Sequence, residues 1–280
     1  MSQAVTKIKS RIKSVSSAYK VTSAMKLVST VKLKQWRNKM VAFKDYVKEV
    51  DEIVDLLLRY SENISSPFMN INNKTNKKLY LVVSSTLGLC GSYNNNIFKI
   101  GDKVIASEDE AIILGGKGLA HYKNGKFKVL EGFENYVSID SKSAIDRITD
   151  YILNEYKNET YQEVHIIYSE YKNSLVFLAK DFRLLPLTLE EKEGNGVPPL
   201  MEPSAGELVN SIIPFYLRTV IYSKLLESEV CEQGARSNAM ENATNNAKDL
   251  LDELHIEFNK ARQTSITQEI TEIVAASKAV

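Results

Sequence analysis

Helix breakers are scarce in this chain. Its 280 residues hold 12 glycines and 6 prolines, about half the average share. The first proline is Pro67, the first glycine is Gly88, and from 207 to 280 only Pro214 and Gly234 occur. Two long helices flanking a compact insert follow, with 1–66, 67–206 and 207–280 as the expected domains. Cysteine is nearly absent: Cys90 and Cys231 cannot build a disulfide scaffold, and a reducing compartment fits. No stretch approaches 18 consecutive apolar residues, so nothing is expected to span a bilayer. Lys7, Lys9, Arg11 and Lys13 interrupt any apolar leader, so no signal peptide is expected. Net charge is also missing, with 36 Lys and Arg against 35 Asp and Glu. That balance argues against a generally basic nucleic-acid binder and against an acidic disordered tail.

One further absence is local. Residues 1–44 carry eleven Lys and Arg and no Asp or Glu, while residues 227–280 carry ten acidic residues and five basic ones. Opposite signs on paired helices attract modestly and favour one orientation. A face this one-sided implies an acidic partner as well.

What is present is periodicity. Leu33, Trp36, Met40, Phe43, Val47, Val50, Val54 and Leu57 follow in steps of three and four, a sustained a/d seam. Ile8, Ile12, Val15, Tyr19 and Thr22 keep the rhythm upstream, which then stumbles at Lys26 and Ser29, with Met25 and Val28 one residue early. Leu208, Ile212, Phe215, Thr219, Tyr222 and Leu226 form a matching row, and Ala239, Ala243, Leu250, Leu254, Phe258 and Ala261 another. A helix of roughly 60 residues is about 90 Å long, against about 50 Å for a compact globule of this chain length. Such helices project and pair with each other, and an insert that returns the chain makes the pairing antiparallel.

Residues 79–85, 110–114, 164–168 and 175–178 read as buried strands, the last two joined by a turn at 172–174, and 141–157 reads as a helix with Ala144, Ile145, Ile148 and Ile152 on one face. Strands alternating with helices imply an α/β layer domain, at least partly parallel. Residues 188–205 form a polar, proline-rich connection. Enzymatic constellations are thin. His121, His165 and His255 are isolated, Cys90 has no histidine near it in sequence, and Glu190, Glu191 and Glu193 suit a solvated loop. No metal site and no cofactor are expected. Gly115-Gly116-Lys117-Gly118 has neither the spacing nor the Ser/Thr of a phosphate loop and reads as a tight strand-to-helix turn. Gly88-Leu89-Cys90-Gly91 reads as another turn.

At the ends the sequence becomes specific. KVTSAMKLVSTVKLK (20–34) closely resembles the N-terminal signature of the ATP synthase gamma subunits, and NKARQTSITQEITEIV (259–274) their C-terminal one. LGLCGSYN (87–94) resembles the family's Gly-Leu-Cys-Gly turn, and EQGARSNAMENATNNA (232–247) the stretch before its last helical turns. Departures occur at Thr86-Leu87, where the family often has a polar or charged pair, and at Met201, where it has Tyr. The resemblance implies an antiparallel coiled coil of the two termini with a Rossmann-like α/β insert. The implied role is the rotating central shaft of a proton-translocating ATP synthase, which transmits torque and hydrolyses nothing itself. Implied partners are the alpha and beta subunits of the catalytic hexamer, the epsilon subunit and the membrane c ring. Nucleic acid is not among them, and the membrane is met only peripherally, through the complex, at the cytoplasmic face of a bacterial inner membrane.

Residue roles follow from the same resemblance. Met25 would sit beside an acidic loop of the beta subunit, faced by Lys20, Lys26, Lys32 and Lys34. Arg262, Gln263 and Thr267 would make polar contacts to a beta-subunit catch loop. The last residues, from Ile270 to Val280, suit a low-friction collar. Glu202, in Leu200-Met201-Glu202-Pro203, would lie near the c ring and epsilon. Two rivals need other features: a nucleotide-binding domain with coiled-coil arms needs a complete phosphate loop, and a nucleic-acid adaptor using residues 1–44 needs more aromatics than Tyr19, Trp36 and Phe43.

Overall fold

The computed structural model describes residues 3–59, 66–69, 71–133, 142–187, 202 and 205–278. Helix α1 runs Gln3–Arg59 and helix α5 runs Ala205–Lys278. Between them lie β1 (Lys78–Val83), α2 (Tyr93–Val104), β2 (Glu110–Leu114), α3 (Gly116–Tyr122), β3 (Lys128–Val129), α4 (Lys142–Lys157), β4 (Glu163–Tyr171) and β5 (Phe177–Leu185). The chain divides into two compact units whose boundaries fall inside the long helices: residues 1–31 with 236–280, and residues 32–235. Expected bounds at 66/67 and 206/207 follow the ends of the helices. The compact units cut elsewhere, because 32–59 and 205–235 are packed onto the sheet.

In the larger unit the five strands lie in the order β3-β2-β1-β4-β5. β1 pairs parallel with β2 (Leu81↔Ile112) and with β4 (Leu81↔Ile166), β3 adds a short parallel edge, and β5 runs antiparallel to β4. β1 and β2 are buried almost throughout, as the near-continuous apolar runs of a sheet covered on both faces require. One face carries Leu79, Leu81, Ile112, Val164, Ile166 and Leu184, packed with Ile145, Ile148 and Ile152 of α4 and Leu217, Ile221 and Leu225 of α5. The other carries Tyr80, Val82, Ile113 and Ile167 under Tyr93, Ile97 and Phe98 of α2. Of the seam from Leu33 to Leu57, all but Val47 join the first of these cores. Across it Phe43 meets Tyr222 edge-to-face at 4.9 Å, and Tyr46 meets Phe215 at 6.4 Å.

Several readings change. α2 was not expected, and β3 is too short to leave a pattern. β5 begins at Phe177 and runs to Leu185, so Leu175 and Val176 belong to the turn, and the strand continues through Lys180, Asp181 and Arg183. An edge strand tolerates such charges. The connection at 188–205 lies outside the described residues apart from Glu202 and the first residue of α5.

In the smaller unit the seam does not stumble at Lys26 and Ser29. Ser29 is 2% exposed, while Val28 stands 55% exposed, so the helix keeps its phase and simply turns polar. Thr244 Oγ1 donates to Thr22 Oγ1 at 3.0 Å, Lys26 Nζ bonds Glu241 Oε1 at 2.6 Å, and the hydroxyls of Thr30 and Ser237 lie 2.9 Å apart. In each pair the two residue numbers total 266 or 267, the mark of one constant antiparallel register. At that register Gln3 stands opposite residue 264, and α5 from Ser265 to Lys278 continues past the first described residue of α1.

Candidate functional site

The residues singled out from sequence fall into both units, and each unit is taken by itself. In the smaller one Lys20 is exposed and Met25 half-buried on the flank of the polar seam. Lys26, expected to face an acidic partner, is ion-paired across the coil with Glu241 while its side chain stays 39% exposed. The cause is its phase: it occupies the seam position itself, one residue beyond Met25. In the larger unit Lys32 and Lys34 are exposed. Glu202 is exposed as well, while Leu200, Met201 and Pro203 lie outside the described residues.

The C-terminal signature forms a clearer surface. Lys260, Gln263, Thr264, Thr267, Gln268 and Thr271 line a shallow groove along one face of α5. Spacings of three, four, seven, eight and eleven place all six on one stripe. The threonines are back-bonded to the carbonyls four residues earlier: Thr264 to Lys260 at 3.0 Å, Thr267 to Gln263 at 3.0 Å and Thr271 to Thr267 at 2.8 Å. That leaves hydroxyl lone pairs facing outward as acceptors, beside the exposed amide of Gln263. Arg262 is exposed but lies about 140° round the helix from Thr267, on the side of Ile266 and Ile273. The structure therefore joins Gln263 to Thr267 and sets Arg262 apart. Lys260, Thr264, Gln268 and Thr271 were missed from sequence, although their period alone marks the stripe. Ile266, Ile270, Ile273 and Val274 are all exposed; Ile266 and Ile273 lie on the side of Arg262, while Ile270 and Val274, seven residues beyond Gln263 and Thr267, border the polar stripe.

The glycine-rich turns are structural. Gly115 has φ +93°, and a Cβ there would lie 2.2 Å from the carbonyl oxygen of Ser84. A Cβ on Gly118 would lie 2.5 Å from Ser84 Oγ. Two of the N–H groups that open α3 are spent: Lys117 N–H donates to Ser85 O at 3.0 Å and Gly118 N–H to Ser84 Oγ at 2.9 Å. In the second turn Cys90 is buried, accepting from Asn94 Nδ2 at 3.2 Å. Leu87 and Leu89 are exposed there, Leu89 with φ 62°. Among the described residues no cluster of His, Cys, Asp or Glu has the makings of a metal site. The strongest charge cluster is at the opposite end of the sheet. Burial would raise the Glu110 carboxyl, but hydrogen bonds from Lys77, Tyr161 and Lys128 hold it at about 2.

A model of the family described as ATP synthase matches residues 4–280. The chain belongs to the ATP synthase gamma chain family. It is 36% identical over 275 residues to the ATP synthase gamma chain of Mesoplasma florum, covering 98% of this chain and 97% of the relative. It is 38% identical over 280 residues to that of Mycoplasma mobile, covering 97% of each. The gamma chain of Clostridium novyi is 35% identical over 276 residues, covering 97% and 96%. Among solved structures, a chain of the Tetrahymena thermophila mitochondrial ATP synthase central stalk and c ring matches with a TM-score of 0.58 at 22% identity. That match covers 80% of this chain and 99% of the other. A chain of the Euglena gracilis mitochondrial enzyme matches with a TM-score of 0.55 at 20% identity, covering 89% and 95%. These two likenesses concern the fold: long terminal helices around a mostly parallel α/β layer.

Proposed function

We propose that the chain is the central rotating shaft of a bacterial F-type ATP synthase, carrying torque between the membrane c ring and the catalytic beta subunits without hydrolysing ATP itself. The observation that carries this reading is family membership over residues 4–280. The paired helices supply the rod. The polar stripe of Gln263 and Thr267 supplies directional hydrogen bonds that a beta-subunit loop meets at some rotation angles only. Met25 with Lys20, Lys32 and Lys34 would meet the acidic loop of the same subunit, with Lys26 ion-paired across the coil to Glu241. Arg262 would reach a neighbour from the other side of the helix. Alpha and beta subunits would surround the coil, and epsilon and the c ring would bind the α/β unit and the region of Glu202. Among the described residues no helix is long and apolar enough to cross a membrane, which suits peripheral attachment at the cytoplasmic face through the complex.

Mixing the purified chain with cognate alpha and beta subunits tests this. A complex that hydrolyses ATP is expected, with activity falling several-fold in Gln263→Ala/Thr267→Ala and, separately, in Arg262→Ala. Failure to co-assemble would overturn the proposal.

A further inference from the structure

In doubly wound sheets ligands bind in the crevice outside the carboxyl ends of the strands where the strand order reverses. Here the reversal lies between β1 and β4. From β1 the chain moves outward through α2 to β2, then returns through α4 to β4 on the other side of β1. That crevice is occupied by α5. β1 stops pairing with β4 at Val82↔Ile167, yet β4 runs on to Tyr171, held on its far side by β5. Backbone groups of Ser169 and Tyr171 that face the β1 side thus have no strand to bond, and buried groups of that kind need partners.

Three side chains of α5 supply them. Ser169 N–H donates to Ser228 Oγ at 3.3 Å, Tyr171 N–H donates to Glu227 Oε1 at 2.9 Å, and Cys231 Sγ donates to Ser169 O at 3.3 Å. Ser228 Oγ also lies 2.8 Å from the hydroxyl of Tyr93, the first residue of α2. Ser169, Ser228, Cys231 and Tyr93 are all buried. Close approach continues one turn on, where a Cβ on Gly234 would come within 2.6 Å of the Phe177 ring. Burial pushes the Glu227 carboxyl up, against the opposing pull of the Tyr171 N–H and Lys224. Positions 227, 228 and 231 share one face of the helix, so their side chains extend the ladder of β4 where β1 has ended.

The distinction between this ladder and the rest of the helix–sheet contact is direction. Burial of Leu217, Ile221, Leu225 and Val230 holds α5 against the sheet and sets its rotation coarsely through the apolar face it buries, while the hydrophobic attraction itself has no preferred angle. Hydrogen bonds weaken steeply when misaligned. We infer that Glu227, Ser228 and Cys231 are positioning residues that lock the rotation of α5 to the sheet, so that a twist applied to the α/β unit turns the helix instead of slipping round it. This inference rests on the shaft reading above.

Two readouts separate the ladder from that reading. In the full chain, amide hydrogen exchange at Ser169 and Tyr171 is expected to quicken about ten-fold or more in Glu227→Ala/Ser228→Ala. Glu227→Gln/Ser228→Thr, which keeps both acceptors, should retain the protection. Unchanged exchange in the alanine variant overturns the inference whatever the chain does. In the complete complex reconstituted into vesicles, ATP hydrolysis and ATP-driven proton uptake are measured on one sample. The alanine variant should keep its hydrolysis while protons moved per ATP fall at least two-fold, with recovery in the Gln/Thr variant. A wild-type ratio in the alanine variant overturns the lock and leaves the shaft standing. A wild-type complex that hydrolyses ATP without pumping overturns the shaft, and amide exchange still decides the ladder. Should the double variant not assemble, Ser228→Ala alone is measured and decides by the same rule.

Discussion

The two compact units use the same pair of helices in opposite ways. In the larger one the seam is apolar and aromatic, with Trp36, Val50 and Val54 buried and Phe43 against Tyr222. In the smaller one, buried Val5, Met240 and Leu254 are joined by a run of polar pairs, Thr22 with Thr244, Lys26 with Glu241 and Thr30 with Ser237. Apolar seams give stability but tolerate slippage, because one leucine resembles the next. Polar pairs contribute little and are sensitive to alignment, because a one-turn slip leaves each partner opposite the wrong group. The comparison teaches that adhesion is supplied along both stretches, while the pairs that fix register are concentrated at residues 22–30 and 237–244.

Four measurements break or sharpen this contrast. Trp36→Ala removes the largest buried side chain of the apolar seam and should cost about 4 kcal/mol, read from the urea midpoint of the larger unit by amide exchange. Acid comes next. The Glu110 carboxyl, held at about 2 against an ordinary 4.5, adds stability that is fully present above the ordinary value. That contribution is lost as pH falls from about 4.5 toward 2. Stability of the larger unit should therefore fall over this window, and Glu110→Gln should flatten the slope while lowering stability at pH 7. Lys26→Leu with Glu241→Leu, which covers apolar surface at the seam, should raise the stability of the smaller unit by about 1 kcal/mol. Spin labels across the coil should then show a broader distance distribution, and an unchanged one would deny the pair its role in register. Smallest is the coupling within the wild-type pair: both side chains are over a third exposed, so a double-mutant cycle of Lys26→Ala and Glu241→Ala should return about 0.5 kcal/mol.

Much of the architecture was legible because it depends on composition over long windows. The long helices follow from where glycine and proline are missing, and β1, β2 and β4 from short buried apolar runs. α2 was hidden by Tyr93-Asn94-Asn95-Asn96, poor helix formers that the surrounding fold overrides. Its Gly101 lies where a Cβ would meet the Tyr122 hydroxyl at 2.2 Å, a reason that exists only in three dimensions. β5 was half-legible, since the charges that let it stand at an edge also disguise it. Of the candidate site, the Gln263 and Thr267 stripe was visible as a period. The ion pair of Lys26 was not, because it depends on Glu241, 215 residues away. The ladder from Glu227, Ser228 and Cys231 left no local sign at all, for its need arises only when β4 outlasts β1.

That ladder has a thermodynamic side. A solute bound in a sheet's crevice gives up translational freedom and leaves when diluted. The occupant here is joined to the sheet by its own backbone, so it is present at a fixed effective concentration, of millimolar order or above. No dilution empties the crevice, and a free molecule of similar chemistry would have to exceed that concentration to enter. A place that in other sheets measures how much of something is in solution has, in this chain, become blind to solution.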